Sequence, residues 1–104
     1  MAEASLKLIC YFIIRTDDGW IWRELWYNRL SGELRATAFE DKDKVYPRKR
    51  YCINAIMNIN YSNIPIVSTP LSLRNLLEEK DIPYTEDKLV KLYTRNKVKE
   101  GWFL

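Results

Sequence analysis

The chain has 104 residues, of which 47% are hydrophobic, and carries 17 Lys and Arg against 14 Asp and Glu with no histidine. This length is typical of one domain with one core, and the apolar content is too high for a disordered segment. The lack of histidine excludes His-based nucleophilic dyads, His-based zinc sites and the commonest general base near neutral pH.

The first part of the chain predicts an antiparallel meander. Ser5 to Arg15 is dense in Ile, Leu, Phe and Tyr, which is typical of a central strand with both faces at least partly covered. The turn sequences "TDDG" and "NRLSGE" separate it from two further strands, predicted over Trp20 to Tyr27 and Leu34 to Glu40. We therefore expect three antiparallel strands within residues 1–41.

Residues 51–104 predict a mainly helical part. Helices are expected over Tyr51 to Asn60, from Pro70 to the Ile82-Pro83 pair, and from Thr85 to Arg95. Between the first two, "IPIVS" suits a brief extended piece at a sheet edge, because Pro65 has no backbone donor. The predicted fold class is α+β: a single domain over residues 1–104, with an antiparallel sheet of three or more strands and two or three helices packed on one face.

Three of the four tryptophans fall in the segment "GWIWRELWYN". Residues two apart on a strand share a face, so Trp20, Trp22 and Trp26 lie on one side of the sheet and Arg23 on the other. Either the tryptophan face is core beneath the helices, or it is exposed and a partner covers it. Unpaired bases or a protein surface would both suit such a face.

Basic residues form two groups. Arg48, Lys49 and Arg50 are consecutive, and a second set recurs along the last predicted helix and its tail, namely Lys88, Lys91, Arg95 and Lys97. Spacings of three and four place the first three of this second set on one helix face, because such residues are neighbours on a helix surface. That face either contacts phosphates or is the solvated side of an amphipathic helix.

The last third of the chain resembles the helix-turn-helix tails of phage and intron-encoded homing endonucleases and of related small phage proteins. The parts that match are the leucine-bearing helix in "LRNLLEEK", the turn at Ile82-Pro83, the basic helix that follows and the terminal "KEGWF". The resemblance, over Pro70 to Leu104, implies that the helix from Thr85 to Arg95 faces DNA. It also implies phosphate contacts by Lys88, Lys91 and Arg95, and binding without cleavage.

Other chemistry is weakly indicated. Cys10 and Cys52 lie in apolar sequence typical of buried free thiols, and neither belongs to a Cys-x-x-Cys pair. Asp17 or Asp18, followed by "EDK" at residues 40–42, loosely matches the carboxylate and lysine set of metal-dependent nucleases. We treat a nuclease as an outlying interpretation, because acidic residues are ordinary at turns.

We therefore expect a non-enzymatic cytoplasmic protein without a cofactor or a membrane span, either a monomer or a homodimer. The leading hypothesis is a small nucleic-acid-binding protein of phage type. It would use the basic residues of both groups, Arg48, Lys49, Arg50, Lys88, Lys91, Arg95 and Lys97. The alternative is a viral-type inhibitor or adaptor that docks on a host protein through Trp20, Trp22, Arg23 and Trp26.

Overall fold

The computed structural model describes residues 5–37 and 44–89. Three strands come first, β1 (Leu6–Thr16), β2 (Gly19–Asn28) and β3 (Glu33–Thr37). They are followed by helix α1 (Lys49–Met57), the short strand β4 (Ile66–Val67), helix α2 (Pro70–Glu79) and a helical turn over residues 86–89. The predicted α+β class is confirmed.

The strands form one sheet in the order β3-β2-β1-β4. β1 pairs antiparallel with β2, with Leu6 opposite Asn28 and Thr16 opposite Gly19, and β2 pairs antiparallel with β3. β4 adds to the other edge of β1 in parallel orientation, with Ile66 opposite Tyr11. The meander and the central position of β1 are as predicted, and the parallel edge strand makes the sheet mixed.

One face of the sheet packs against α2. β1 and β2 contribute Phe12, Leu25 and neighbouring apolar residues, and α2 contributes Leu73 and Leu77, both fully buried. α2 begins where the sequence predicts, because the Thr69 hydroxyl accepts a hydrogen bond from the backbone N–H of Ser72 at 3.1 Å.

The opposite face packs against α1. Tyr11 and Ile13 of β1 project to this side and meet Cys52 and Ile56 of the helix. The described helices therefore divide between the two faces, whereas the sequence predicts them on one. The physical reason lies in β1, where every residue from Ile9 to Ile14 is buried, so both faces of the strand require cover.

In the part of the chain that the structure describes, neither helix combines the length and the apolar composition needed to cross a bilayer.

Candidate functional site

The tryptophans of β2 lie on the face that α1 covers. Trp22 is opposite Ile13 and Trp26 is opposite Leu8, while Arg23 is opposite Phe12 and so belongs to the α2 face. Trp20 and Trp22 pack beside the cluster formed by Tyr11, Ile13, Cys52 and Ile56. Most of this face is therefore a second side of the core.

Two specific contacts hold the tryptophan face together. The rings of Tyr11 and Trp22 meet edge to face, with centroids 5.7 Å apart and planes at 73°. Glu24, only 8% exposed, lies on the same face, and its Oε1 accepts a hydrogen bond from the indole N–H of Trp26 at 3.2 Å. A buried carboxylate needs such a donor, so Trp26 and Glu24 stabilise each other.

Arg23 alternates with the tryptophans along β2. Besides its position on the α2 face, its Nη1 donates a hydrogen bond of 2.8 Å to the backbone carbonyl of Trp22. The guanidinium is thus tied to the strand itself. In the set predicted for a protein interface, Trp20, Trp22 and Trp26 share one side of β2 and Arg23 alternates with them.

A groove remains open at the Trp26 end of the tryptophan face. Its volume is about 480 Å³, and Leu6, Leu8, Tyr11, Trp26, Ile59, Tyr61 and Ile64 contribute to its lining. Tyr61 is 92% exposed at its rim. Aromatic surface therefore stays accessible at this end of the face.

The chain before α1 is tied to the start of β2. Trp20 and Tyr46 form an isolated bridge, in which the Trp20 N–H donates to the Tyr46 carbonyl at 2.8 Å and the Tyr46 N–H donates to the Trp20 carbonyl at 2.7 Å. The bridge holds Lys44 and Tyr46 beside the β1–β2 hairpin. It also brings the start of α1 to the same end of the sheet.

Cations and aromatic rings pair closely at this end. Arg15 Cζ lies 5.9 Å and Lys49 Nζ lies 5.8 Å from the centroid of the Trp20 ring. Lys44 Nζ lies 5.2 Å from the Tyr46 centroid, and Arg50 Cζ lies 5.2 Å from the Tyr51 centroid. The pairs of Trp20 and Tyr46 thus lie at the Trp20–Tyr46 bridge, and the Arg50–Tyr51 pair lies on the first turn of α1, next to Lys49 in the chain.

We call this region the basic–aromatic patch. It consists of five cations, Arg15, Lys44, Arg48, Lys49 and Arg50, and three rings, Trp20, Tyr46 and Tyr51. Lys49 is half-buried and the other four cations are exposed. None of the five forms a salt bridge with a carboxylate in residues 5–37 or 44–89.

The amino end of α1 adds to the positive potential of the patch. Arg48 is the N-cap, with φ −135° and ψ 145°, and its side chain makes no capping hydrogen bond. The first turn contains no acidic residue, although the helix dipole favours one there. Three consecutive cations at this end oppose the dipole, so helix stability does not account for their position.

The structure brings together only part of the predicted nucleic-acid site. Arg48, Lys49 and Arg50 are joined by Arg15 and Lys44, which the sequence pattern does not single out. A signal for Arg15 exists, since a tight hairpin at "TDDG" places it opposite Trp20, as observed. Lys44 could not be found this way, because its position depends on the long-range bridge between Tyr46 and Trp20.

The second predicted basic group lies elsewhere or outside the described residues. Lys88 lines a pocket of about 330 Å³ with Gly32, Leu34 and Tyr84, at the β2–β3 end of the sheet. From Trp20 to Asn28 the strand spans roughly 26 Å at the usual rise per residue, so Lys88 and the basic–aromatic patch are well separated. Lys91, Arg95 and Lys97 lie outside the described residues.

The helix start at Thr85 is confirmed. The Thr85 hydroxyl accepts a hydrogen bond from the backbone N–H of Lys88 at 3.1 Å, as an N-cap does. Glu86 pairs back to Arg74 of α2, with Nη2 and Oε2 2.6 Å apart. This acidic residue at the helix start therefore has a partner within the protein.

The residues singled out for catalytic chemistry lie partly outside the described residues. Glu40 and Lys42 of the nuclease-like set lie outside them, and no group of three or more potential metal ligands occurs within residues 5–37 and 44–89. Burial raises the pKa of the Cys10 and Cys52 thiols to about 12. Both are therefore protonated near neutral pH, which makes them poor nucleophiles.

No protein-family model, curated protein or solved structure matches this chain. The function is therefore inferred from the residues of the site and their geometry.

Proposed function

We propose that this chain binds nucleic acid, without catalysing a reaction, by contacting phosphates through the basic–aromatic patch. The observation that carries the proposal is that cations from β1, from the chain before α1 and from the start of α1 lie at one end of the sheet, where Arg15 and Lys49 share the Trp20 ring. A cluster of Lys and Arg on one face is the electrostatic footprint of nucleic-acid binding. No carboxylate of the described residues neutralises it by a salt bridge.

The aromatic rings of the patch support this interpretation. A long cationic side chain loses rotamer freedom when it binds a phosphate, and that loss opposes binding. Arg15 and Lys49 beside Trp20, and Arg50 beside Tyr51, are already restricted by contact with a ring. The cost of ordering them on a phosphate is therefore reduced.

The charges at the start of α1 support it as well. Arg48, Lys49 and Arg50 at the positive end of a helix dipole lower the stability of the fold, while the same dipole favours an anion beside them. A bound phosphate would reverse this unfavourable electrostatic energy. Of the phosphate contacts predicted on the last helix, only Lys88 is among the described residues, and it lies at the other end of the sheet from the patch.

Protein docking through the sheet face, the alternative function, has less support. Trp20 and Trp22 are occupied by packing beside α1, and Arg23 donates to the backbone carbonyl of Trp22. Only Trp26 retains an open groove beside it. This groove lies at the other end of the face from the basic–aromatic patch. Replacing the exposed Tyr61 at its rim by Ala should for that reason leave nucleic-acid affinity unchanged.

The proposal is tested by measuring binding of the full chain to a labelled DNA duplex across a range of salt concentrations. The test variant carries Arg48→Gln, Lys49→Gln and Arg50→Gln, which remove three charges and keep most of each side chain. If each cation neutralises one phosphate, the slope of log affinity against log salt falls in magnitude by about 2.7. The variant should also bind the duplex more weakly than the unmodified chain at low salt.

A charge-matched control separates a local site from an effect of net charge. Lys7→Gln, Arg35→Gln and Lys80→Gln also remove three positive charges, from exposed positions outside the patch. A third variant, Lys88→Ala, Lys91→Ala and Arg95→Ala, tests the last helix. Equal weakening by the patch and control variants, or no binding at low salt by the unmodified chain, would refute the proposed site.

A further inference from the structure

We infer that the basic–aromatic patch recognises the phosphodiester backbone and not unpaired bases, so that its ligand class is duplex nucleic acid bound independently of sequence. The inference rests on the proposed function and specifies the ligand of that same site. Two kinds of ligand contact are chemically open to a surface of this composition. Bases can stack on the rings, as in single-strand-binding proteins, or phosphates can pair with the cations.

Trp20 is poorly placed for stacking a base. Its ring is half-buried beside the core cluster that includes Ile13 and Cys52. Two cationic groups, on Arg15 and Lys49, lie within 6 Å of its centroid. A base would have to displace one of these cations or enter the space taken by the core.

Each of the two tyrosines has one cation over its ring. Lys44 lies over the Tyr46 ring and Arg50 lies over the Tyr51 ring, each with its charged group 5.2 Å from the centroid. Tyr46 is half-buried and Tyr51 is 42% exposed. The most exposed ring of the patch, Tyr51, thus has a guanidinium on one of its two faces, where it competes with a base for stacking.

The rings therefore hold the cations in position and do not contact the ligand. A guanidinium lying over a ring still directs its N–H donors outward from its edge, and an ammonium keeps donors on its free side. These donors match phosphate oxygens, which every nucleotide carries. Recognition by such donors is indifferent to base identity.

The choice of duplex over single strand follows from charge density. A duplex carries one negative charge per roughly 1.7 Å of axis, about twice the density of one of its strands. Cations that reach only phosphates gain more from the denser array. A patch that stacked bases would instead prefer the single strand, whose bases are free.

The experiment compares three ligands of equal length, namely a duplex, one of its strands and the same strand with its bases removed. We expect the duplex to bind most tightly and the two single strands to bind within about twofold of each other. Stacking on even one ring would make the abasic strand bind at least about fivefold more weakly. Such a loss would overturn the inference while leaving the proposed function intact.

Variants of Tyr51 give a second measurement at an exposed position that does not threaten the fold. If the ring only holds Arg50, Tyr51→Leu weakens binding of all three ligands by the same factor and Tyr51→Phe weakens none. If the ring stacks a base, Tyr51→Leu weakens binding of the normal single strand alone, which would overturn the inference. Absence of binding to all three ligands would instead refute the proposed function.

Discussion

Tyr46 lies opposite Trp20 and exchanges two backbone hydrogen bonds with it, of 2.7 and 2.8 Å, although the two residues are far apart in the chain. This bridge unites the two halves of the basic–aromatic patch. Arg15 and Trp20 belong to the hairpin, while Lys44 and α1 belong to the chain that Tyr46 holds against it. The site therefore depends on how closely the backbone at residue 46 can approach β2.

Gly19 sets that approach. Its φ of 145° is rarely adopted by residues with a side chain, and a Cβ at this position would overlap the Tyr46 carbonyl oxygen and press on Val45. We expect Gly19→Ala to lower the free energy of unfolding by about 2–5 kcal/mol, through backbone strain together with overpacking. Urea denaturation measures the loss, and nucleic-acid affinity should fall in the same variant.

Gly32→Ala is the matched control. Gly32 also has a positive φ, of 73°, but a Cβ there would meet nothing within 4 Å. Only the conformational strain remains, so the expected loss is about 1–2 kcal/mol. Equal losses in the two variants would show that contact with Tyr46 contributes nothing at Gly19.

Local sequence signals predict most of the fold. Strands form where β1, β2 and the start of the third strand are expected, and helices form where the first two are expected. Of the helix predicted from Thr85 to Arg95, the described residues show the first turn, and Thr69 and Thr85 cap as predicted. The parallel pairing of β4 with β1 could not be foreseen, because two residues are too few to show a periodicity and pairing depends on distant contacts. The brief extended piece at "IPIVS" nevertheless lies at a sheet edge, as predicted.

The placement of the helices is the point where the sequence prediction and the structure differ. β1 shows no polar face between Ile9 and Ile14, a pattern that predicts cover on both sides. The alternating Trp20, Trp22 and Trp26 identify the face, but not which helix lies over it. The sequence predicts only part of the site, because it shows local neighbours but not tertiary partners. Arg48 to Arg50 are adjacent in the chain, whereas Arg15 and Lys44 join them only through tertiary pairing.

Burial on both faces predicts equal sensitivity to cavities on either side of the sheet. Ile56 of α1 and Leu73 of α2 are each fully buried. We expect Ile56→Ala and Leu73→Ala each to lower the free energy of unfolding by about 2–5 kcal/mol, through lost transfer energy and the cavity left behind. Denaturant unfolding followed by circular dichroism gives both values.

Met57→Ala provides the reference for Ile56→Ala, because Met57 is the next residue of α1 and is 62% exposed. Its replacement should change stability by no more than about 0.5 kcal/mol. Tryptophan fluorescence should respond to Ile56→Ala, which loosens the cover of Trp22, more than to Leu73→Ala. A negligible cost for Ile56→Ala would contradict the packing of α1 on the tryptophan face.

The buried thiols predict a loss of stability at alkaline pH. Burial raises the pKa of both Cys10 and Cys52 from about 9.0 to about 12. Below pH 9 the thiols are protonated in both the folded and the unfolded protein. Between pH 9 and 12 the unfolded protein loses the thiol protons, whereas the folded protein keeps them. Each thiol should therefore lower the free energy of unfolding by about 1.4 kcal/mol per pH unit in this window.

Other groups titrate in the same range, including Tyr11, whose pKa is raised by burial and by Glu24. The contribution of one thiol is therefore measured as the difference in pH slope between the unmodified chain and Cys10→Ala. Parallel slopes would show that Cys10 is not protected. As a further check, a thiol reagent at pH 8 should modify the chain only after denaturation.

Arg48 is expected to lower the stability of the fold and to strengthen nucleic-acid binding. Its backbone has the extended conformation of an N-cap, yet its side chain makes no capping hydrogen bond and adds positive charge at the positive end of the α1 dipole. Serine at this position would accept a hydrogen bond from the first turn. We expect Arg48→Ser to raise the free energy of unfolding by about 1 kcal/mol and to reduce the salt slope of nucleic-acid binding by about 0.9.

Arg48→Ala separates the two effects, because it removes the same charge without supplying a cap. It should weaken nucleic-acid binding as much as Arg48→Ser and gain little stability, since alanine is a poor N-cap. Both quantities can be measured on the same samples by urea unfolding and by salt titration of duplex binding. If Arg48→Ser stabilises the fold but leaves binding unchanged, Arg48 contacts no phosphate, and any phosphate contacts of the patch are made by its other four cations.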